Sequence, residues 1–250
     1  VGDSFVHGDC VNRPNDISSV LRNLSNKSVL NLGQGGNGSL IEYATLREYL
    51  SSNVNKVIWV YFEGNDIGNL VNEKKNNILN KYLKDLNFTQ HLKSRQNEID
   101  NLAINFIKEK VNTKDDIEEF TALDKFLHFI RFYNTRLLIS PSSTFYKSPL
   151  PKDFKKIIRL TKELVESNNS ELFFVYLPQY SRYKTNYVDP NYSIVKSIVT
   201  NLNIPFIDIH KKVFEKESNP LKLFQFEMNS HYNIQGYKKV AEAIFELTSK

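Results

Sequence analysis

Short apolar segments alternate with amphipathic segments along most of this chain, and this alternation limits the folds that it can adopt. The apolar segments are rich in β-branched and aromatic residues and cover residues 28–32, 56–62, 172–177 and 205–209. Nearly continuous apolar runs of this length are typical of parallel strands that are covered on both faces. Val1 is interpreted as the end of a further, truncated first strand, so five strands are expected.

Helical patterns lie between these strands. They cover residues 16–24, 40–50, 153–166, 192–202 and 234–247. In the last of them the apolar side chains recur at helical spacing, so one face of the helix is expected to pack on a sheet. Alternating strands and helices predict an α/β fold, with an open, mostly parallel sheet between two layers of helices. In such folds the ligand binds at the carboxyl ends of the strands.

Residues 67–144 depart from this alternation, since they contain only helical patterns, at residues 72–86, 95–110 and 117–133. We interpret them as a helical insertion after the third strand, within a single domain that covers residues 1–250. The most apolar stripe of the insertion is expected to pack in a core; it comprises Leu123, Phe126, Leu127, Ile130 and Tyr133.

The composition excludes several classes of protein. The formal charge is +5, but lysines are interleaved with acidic residues and no arginine-rich stripe is present, so no nucleic-acid partner is expected. The apolar runs are far shorter than the ~18–20 residues that span a bilayer, so we predict no integral membrane segment in this chain. We expect a soluble protein, and the sequence leaves open whether its compartment is the cytoplasm or the periplasm. Cys10 is the one cysteine, which excludes an intrachain disulfide and a cysteine-based zinc site.

Four motifs could carry chemistry, and each is also a common turn sequence. Gly2-Asp3-Ser4 lies where the first strand gives way to a helix, a place that favours developing negative charge. A glycine-rich run at residues 33–38 follows the second strand, and Gly64-Asn65-Asp66 follows the third. His231 lies in the loop before the last helix.

In this order, the four motifs resemble the SGNH/GDSL hydrolase family, and the resemblance extends from Gly2 to about Ile244. It implies a flavodoxin-like three-layer α/β/α sandwich that acts on esters without a metal or other cofactor. By resemblance, Ser4 is the nucleophile and His231 is its base. The backbone N–H groups of Ser4 and Gly36 and the side-chain amide of Asn65 form the oxyanion hole, and Asp3 is expected to position Ser4 through the loop backbone.

One position departs from the pattern of the family. The family has an Asp three residues before the His, and this chain has Met228 there. A thioether cannot orient an imidazole or stabilise its protonated form. We predict that Glu227, the nearest acidic residue, takes this role; a backbone carbonyl or Asp208 are the alternatives.

Two further clusters contain polar and aromatic residues near the ends of predicted strands. Asp208 and His210 are two residues apart, and Asp208 is expected to cap the turn that follows it. Aromatic residues and one arginine after the fourth strand could contact a substrate or pack on the insertion; they are Tyr180, Arg182, Tyr183, Tyr187 and Tyr192.

The sequence therefore predicts a serine esterase that cleaves a small-molecule or glycan ester through an acyl-serine intermediate. Two alternatives remain open. The same site could transfer the acyl group to a polysaccharide hydroxyl, or Met228 could mark a binding domain that has lost catalysis. The oligomeric state is not indicated by the sequence.

Overall fold

The computed structural model describes residues 1–112 and 149–249. Its sheet consists of three parallel strands in the order β1 (Lys56–Phe62), β2 (Glu171–Leu177) and β3 (Phe206–Asp208). β1 and β2 pair over their whole length, from Lys56 opposite Glu171 to Phe62 opposite Leu177. The described residues therefore form a helix-rich α/β fold with a parallel sheet.

The prediction of five strands is wrong, because the two remaining segments make too few backbone hydrogen bonds to form a ladder. Val1 donates to the carbonyl of Ile58 (2.9 Å) and accepts from the N–H of Val60 (3.0 Å), so it lies against β1 for one residue only. The segment that follows residues 28–32 is joined to the N-terminal stretch by one backbone hydrogen bond, from the N–H of Gln34 to the carbonyl of Gly2 (3.2 Å).

Helices surround the sheet in the unit formed by residues 1–89 and 148–250. We number the helices in chain order: α1 (Ser4–His7), α2 (Ile17–Ser25), α3 (Ser39–Tyr49), α4 (Asp66–Glu73), α5 (Asn77–Lys84), α7 (Asp153–Ser167), α8 (Ser181–Lys184), α9 (Tyr192–Asn201), α10 (Ile209–Lys212) and α11 (Ile234–Thr248), with α6 described below. Short 3-10 turns cover Phe214–Lys216, Pro220–Leu223 and Gln225–Glu227.

Alternate side chains of the strands enter two separate cores, one on each face of the sheet. Trp59 and Tyr61 of β1 pack with residues of α3, α4, α5, α7 and α9. Val60 of β1 and Val175 of β2 pack on the other face with residues of α1, α2 and α11. Because side chains alternate across a strand, continuous apolar runs fill both cores at once.

Part of the predicted insertion belongs to this unit. Ile67 and Leu70 of α4 and Tyr82 and Leu83 of α5 lie in the core with Trp59, so the chain up to residue 89 packs with the sheet. The helix predicted at residues 72–86 corresponds to α5, and its first two residues are the end of α4, which we did not predict.

Residues 90–147 form a second compact unit, of which the structure describes residues 90–112. α6 (Gln96–Asn112) is its described helix, and the Arg95 guanidinium pairs with Glu98 in its first turn. The apolar stripe predicted at residues 123–133 lies outside the described residues. Across residues 1–112 and 149–249, none of the helices has both the length and the apolar character needed to cross a bilayer.

Candidate active site

Ser4 is the first residue of α1, directly after the stretch that lies against β1. Gly2 permits this close approach, because a Cβ there would lie 2.8 Å from the carbonyl oxygen of Val60 and 2.4 Å from Val6. The Asp3 carboxylate caps α1 by accepting the N–H of Phe5 (2.9 Å). These contacts hold Ser4 at the carboxyl edge of the sheet with its hydroxyl partly exposed.

His231 lies next to Ser4 although 227 residues separate them in the chain. Its Nε2 is 2.7 Å from the Ser4 hydroxyl, a short hydrogen bond. The neighbouring residue Tyr232 is fully buried and donates its hydroxyl to the carbonyl of Pro178 (2.6 Å). The Phe5 ring lies 4.5 Å from the imidazole. The histidine is therefore held by packing before α11 begins.

The Nδ1 atom of His231 faces the Cys10 thiol, with its sulfur 3.7 Å away. The same sulfur is 3.6 Å from the Ser230 hydroxyl, and Cys10 has a left-handed backbone conformation (φ 71°). Within the described residues, no carboxylate hydrogen-bonds to this nitrogen. The charge of Asp9 acts on the imidazole from a greater distance. Sequence reasoning did not foresee either residue at this position.

The structure does not bring Glu227 to His231, which departs from our prediction. Glu227 is exposed, and its backbone carries its hydrogen bonds: its N–H donates to Phe224 (3.2 Å) and its carbonyl accepts from Tyr180 (3.0 Å). Phe226 and Glu227 both have positive φ angles near 50°. This tight turn sets the direction of the Glu227 side chain. The greater length of this side chain therefore does not compensate for the carboxylate that is missing at Met228.

Burial lowers the pKa of His231, and the negative charge of Asp9 partly opposes this shift. A buried imidazole with a lowered pKa is neutral near pH 7. With the serine hydroxyl as donor to Nε2, the proton of the neutral ring is on Nδ1, next to the sulfur. This arrangement leaves Nε2 able to take a proton from Ser4.

Asp3 is a buried carboxyl group beneath the serine. Burial raises its pKa to about 6, against the opposite influence of the Phe5 N–H, the Asn65 amide and the Ser4 hydroxyl. Its Oδ2 is 3.4 Å from the Ser4 hydroxyl, which is much longer than the bond from that hydroxyl to His231. The geometry thus favours a positioning role for Asp3 at the turn, as the sequence suggests.

Asn65 precedes the first residue of α4 and is exposed. Its side-chain amide opposes the rise in the pKa of Asp3, as the Ser4 hydroxyl does. An asparagine amide has two N–H groups that can donate to a ligand.

The glycine-rich loop turns sharply next to Ser4. The N–H of Asn37 donates to Gln34 (3.1 Å), and Gly36 at the tip has φ 84°, which a side chain would strain. Gly36 faces open space. A Cβ on Gly35 would lie 3.7 Å from the Cβ of Ser4, so Gly35, which sequence reasoning had not singled out, is the loop residue in contact with the serine.

The two other clusters have structural partners. Asp208 caps α10 through the N–H of Lys211 (3.3 Å) and accepts from Tyr192 (2.6 Å), which fits the expected capping role. Arg182 forms a buried ion pair with Glu63. His7 is exposed, with Nδ1 3.3 Å from the carbonyl of Gly33. In residues 1–112 and 149–249, no three histidine, cysteine or acidic side chains are grouped so as to hold a metal ion.

Neither a family model nor a curated protein sequence matches the chain. Among solved structures it is similar to one from Desulfitobacterium hafniense DCB-2 that bears the name "putative lipolytic protein of G-D-S-L family". The two share 17% sequence identity, the TM-score is 0.56, and the match covers 99% of this chain and 96% of the other. The chain therefore has the fold of the SGNH/GDSL hydrolases, as the order of its motifs indicated.

Proposed function

We propose that this chain is a serine esterase that hydrolyses carboxylic esters through an acyl-serine intermediate. The observation that carries the proposal is the 2.7 Å hydrogen bond between the Ser4 hydroxyl and Nε2 of His231. A serine hydroxyl is a weak nucleophile near neutral pH, so it needs a base that removes its proton as it attacks. The fold adds support, since the similar protein from D. hafniense is named as a lipolytic protein.

In the first half of the reaction, Ser4 attacks the ester carbonyl while its proton passes to Nε2 of His231. The carbonyl oxygen becomes an oxyanion, which needs preorganised hydrogen-bond donors. The N–H of Ser4 at the start of α1, the side-chain amide of Asn65 and the N–H of Gly36 in the adjacent loop would supply them. The imidazolium then returns its proton to the leaving alcohol, which departs and leaves the acyl-serine.

In the second half, a water molecule attacks the acyl-serine with His231 again as the base, and the acid and free Ser4 are released. The imidazolium that forms twice per cycle faces a thiol at Nδ1 and feels the Asp9 charge from further away. A thiol is a weak hydrogen-bond acceptor compared with a carboxylate. The proposed site is therefore a Ser–His pair, with Cys10 beside the ring where a triad has a carboxylate.

The proposal is tested with a fluorophosphonate probe and with nitrophenyl acetate. We expect wild type to be labelled and to turn over, and Ser4→Ala to lose labelling and at least ~10³-fold in kcat. Equal labelling or equal turnover of the two chains would refute the proposal. Repeating the assay with an oligosaccharide acceptor distinguishes hydrolysis from acyl transfer, because only transfer yields acylated sugar.

A further inference from the structure

Helix α4 carries three polar residues at a spacing of four, Asn65, Asn69 and Glu73. Residues at this spacing lie on one face of a helix. Asn65, at the start of the helix, is a proposed oxyanion donor. The other two contact the glycine-rich loop that carries Gly36, so a single helix connects two parts of the proposed oxyanion hole.

Glu73 is a buried carboxylate that binds the start of α3. Its Oε1 accepts the N–H of Gly38 (2.5 Å), and its Oε2 accepts the N–H of Leu40 (3.0 Å). Gly38 is the N-cap residue of α3 and has no side chain with which to cap it. The first N–H groups of a helix need acceptors, and a negative charge is favoured there. Glu73 supplies both from a neighbouring helix.

Asn69 binds the glycine-rich loop at Asn37, one residue before Gly38. Its side-chain amide donates to the carbonyl of Asn37 (3.0 Å). Gly38 packs so closely on α4 that a Cβ would lie 2.7 Å from the N–H nitrogen of Leu70 and 2.8 Å from the Cβ of Asn69. On its other side the loop is tied to Gly2 through Gln34. The peptides of Gly35 and Gly36 thus lie between two anchored ends.

We infer that Glu73 and Asn69 are positioning residues, which set the glycine-rich loop at a fixed distance from Asn65 so that the oxyanion donors converge. This inference rests on the proposed esterase function. Donor placement matters because misplacing reacting groups by about 1 Å can cost ~10²-fold in rate. Both side chains bind the loop and the start of α3, so we expect their effect to be on the oxyanion rather than on substrate binding.

The main test is Glu73→Gln, which keeps the shape of the side chain but replaces one acceptor oxygen with an N–H donor facing the α3 amides. We expect kcat to fall about tenfold, less than the ~10²–10³ for loss of a whole donor, while KM changes less than twofold. Affinity for a trifluoromethyl ketone, which forms an oxyanion on Ser4, should fall in parallel with kcat. Affinity for the matching methyl ketone should not change.

Val199→Ala is the control for a purely structural effect. Val199 is fully buried in the last turn of α9, which leads back towards the amino edge of the sheet, away from Ser4. If this variant loses thermal stability as Glu73→Gln does and also loses kcat equally, the positioning role is wrong. Unchanged kcat in Glu73→Gln, with Ser4→Ala inactive, would overturn the inference and leave the esterase proposal standing.

Asn69→Ala keeps the test decisive if Glu73→Gln does not fold. It removes the bond to the carbonyl of Asn37 and leaves the Glu73 carboxylate with the α3 amides. We expect a fall in kcat of roughly threefold, a smaller effect than misplacement by 1 Å, with the same loss of trifluoromethyl ketone affinity. Wild-type values for both quantities would overturn the role of the helix in positioning the loop.

Discussion

The two nitrogens of His231 lie in contrasting surroundings. On the Nε2 side, Ser4 is fixed by the helix start and by the buried Asp3 carboxylate. On the Nδ1 side, the neighbour is the Cys10 thiol.

This difference separates two tasks that a catalytic triad performs together. Transfer of the serine proton requires the contact at Nε2, which is short and well supported. Orientation and stabilisation of the imidazolium are assigned to a carboxylate in a triad, and here the ring is held by Phe5 and the buried Tyr232 instead. Packing can thus orient a histidine base even where the positive charge of its imidazolium is only weakly stabilised.

The largest expected effect comes from removing the base itself. His231→Gln keeps a polar side chain near Ser4 but cannot accept and return a proton at neutral pH. We expect kcat to fall at least ~10³-fold, measured with nitrophenyl acetate, with thermal stability close to wild type. An active His231→Gln variant would show that the contact at Nε2 is not catalytic.

The next largest effect tests the donors on the Nε2 side. Asn65→Ala should lower kcat by ~10²–10³-fold with little change in KM, since an oxyanion donor acts only after attack. Asn65→Asp is the matched variant, because it keeps the shape and places a negative charge towards the oxyanion; we expect it to be at least as inactive. An alanine variant with wild-type kcat would remove Asn65 from the oxyanion hole.

A carboxylate introduced on the Nδ1 side should strengthen the weaker half of the site. Cys10→Asp suits the left-handed backbone there, which Asp and Asn tolerate, and its side chain extends further towards Nδ1 than a thiol. We expect kcat to rise about tenfold, far below the ~10⁴-fold attributed to a native triad carboxylate. Cys10→Asn is the uncharged control, and an equal rise in both variants would contradict an electrostatic cause.

The same pair of variants has a pH signature. His231 must be neutral to act, and burial lowers its pKa, so the acid limb of kcat/KM in wild type should lie below the ordinary imidazole value of ~6.5. An added carboxylate favours the imidazolium and raises this pKa, so the limb should move to higher pH in Cys10→Asp alone. A limb at the same pH in all three proteins would place its origin in another group.

The smallest effect concerns Glu227. Its side chain makes no hydrogen bond to His231 in the described structure, so Glu227→Gln should change kcat less than about twofold, as exposed charges act weakly in water. Steady-state kinetics at two salt concentrations would check this. A tenfold loss would restore the orienting role that the sequence suggested.

Much of the fold could be predicted from periodicity. β1 and β2 were recognised as continuous apolar runs because their side chains fill cores on both faces of the sheet. Helix α11 was recognised from its apolar stripe. The prediction of a strand at residues 28–32 was wrong, because local apolar character does not supply a partner strand with free backbone groups. Helix α4 was also missed except for its last two residues, since the helical pattern that we recognised begins at residue 72.

The site was predicted unevenly for a physical reason. The places of Ser4 and Asn65 follow from topology, because Asn65 comes after the carboxyl end of β1 and Ser4 comes after the residue that lies against β1. The neighbour of Nδ1 does not follow from topology, since Cys10 and Glu227 lie in irregular segments. There, single φ angles decide where a side chain points.

The sequence by itself determined β1, β2 and most of the longer helices, and it indicated the order in which Ser4, the glycine loop, Asn65 and His231 occur, because these depend on local patterns. Only the tertiary structure decided that Cys10 lies beside the imidazole and that Glu227 turns away. It also decided that Glu73, a residue of α4, caps the start of α3. These contacts join residues distant in the chain, and long-range packing selects them from many arrangements that are locally equivalent.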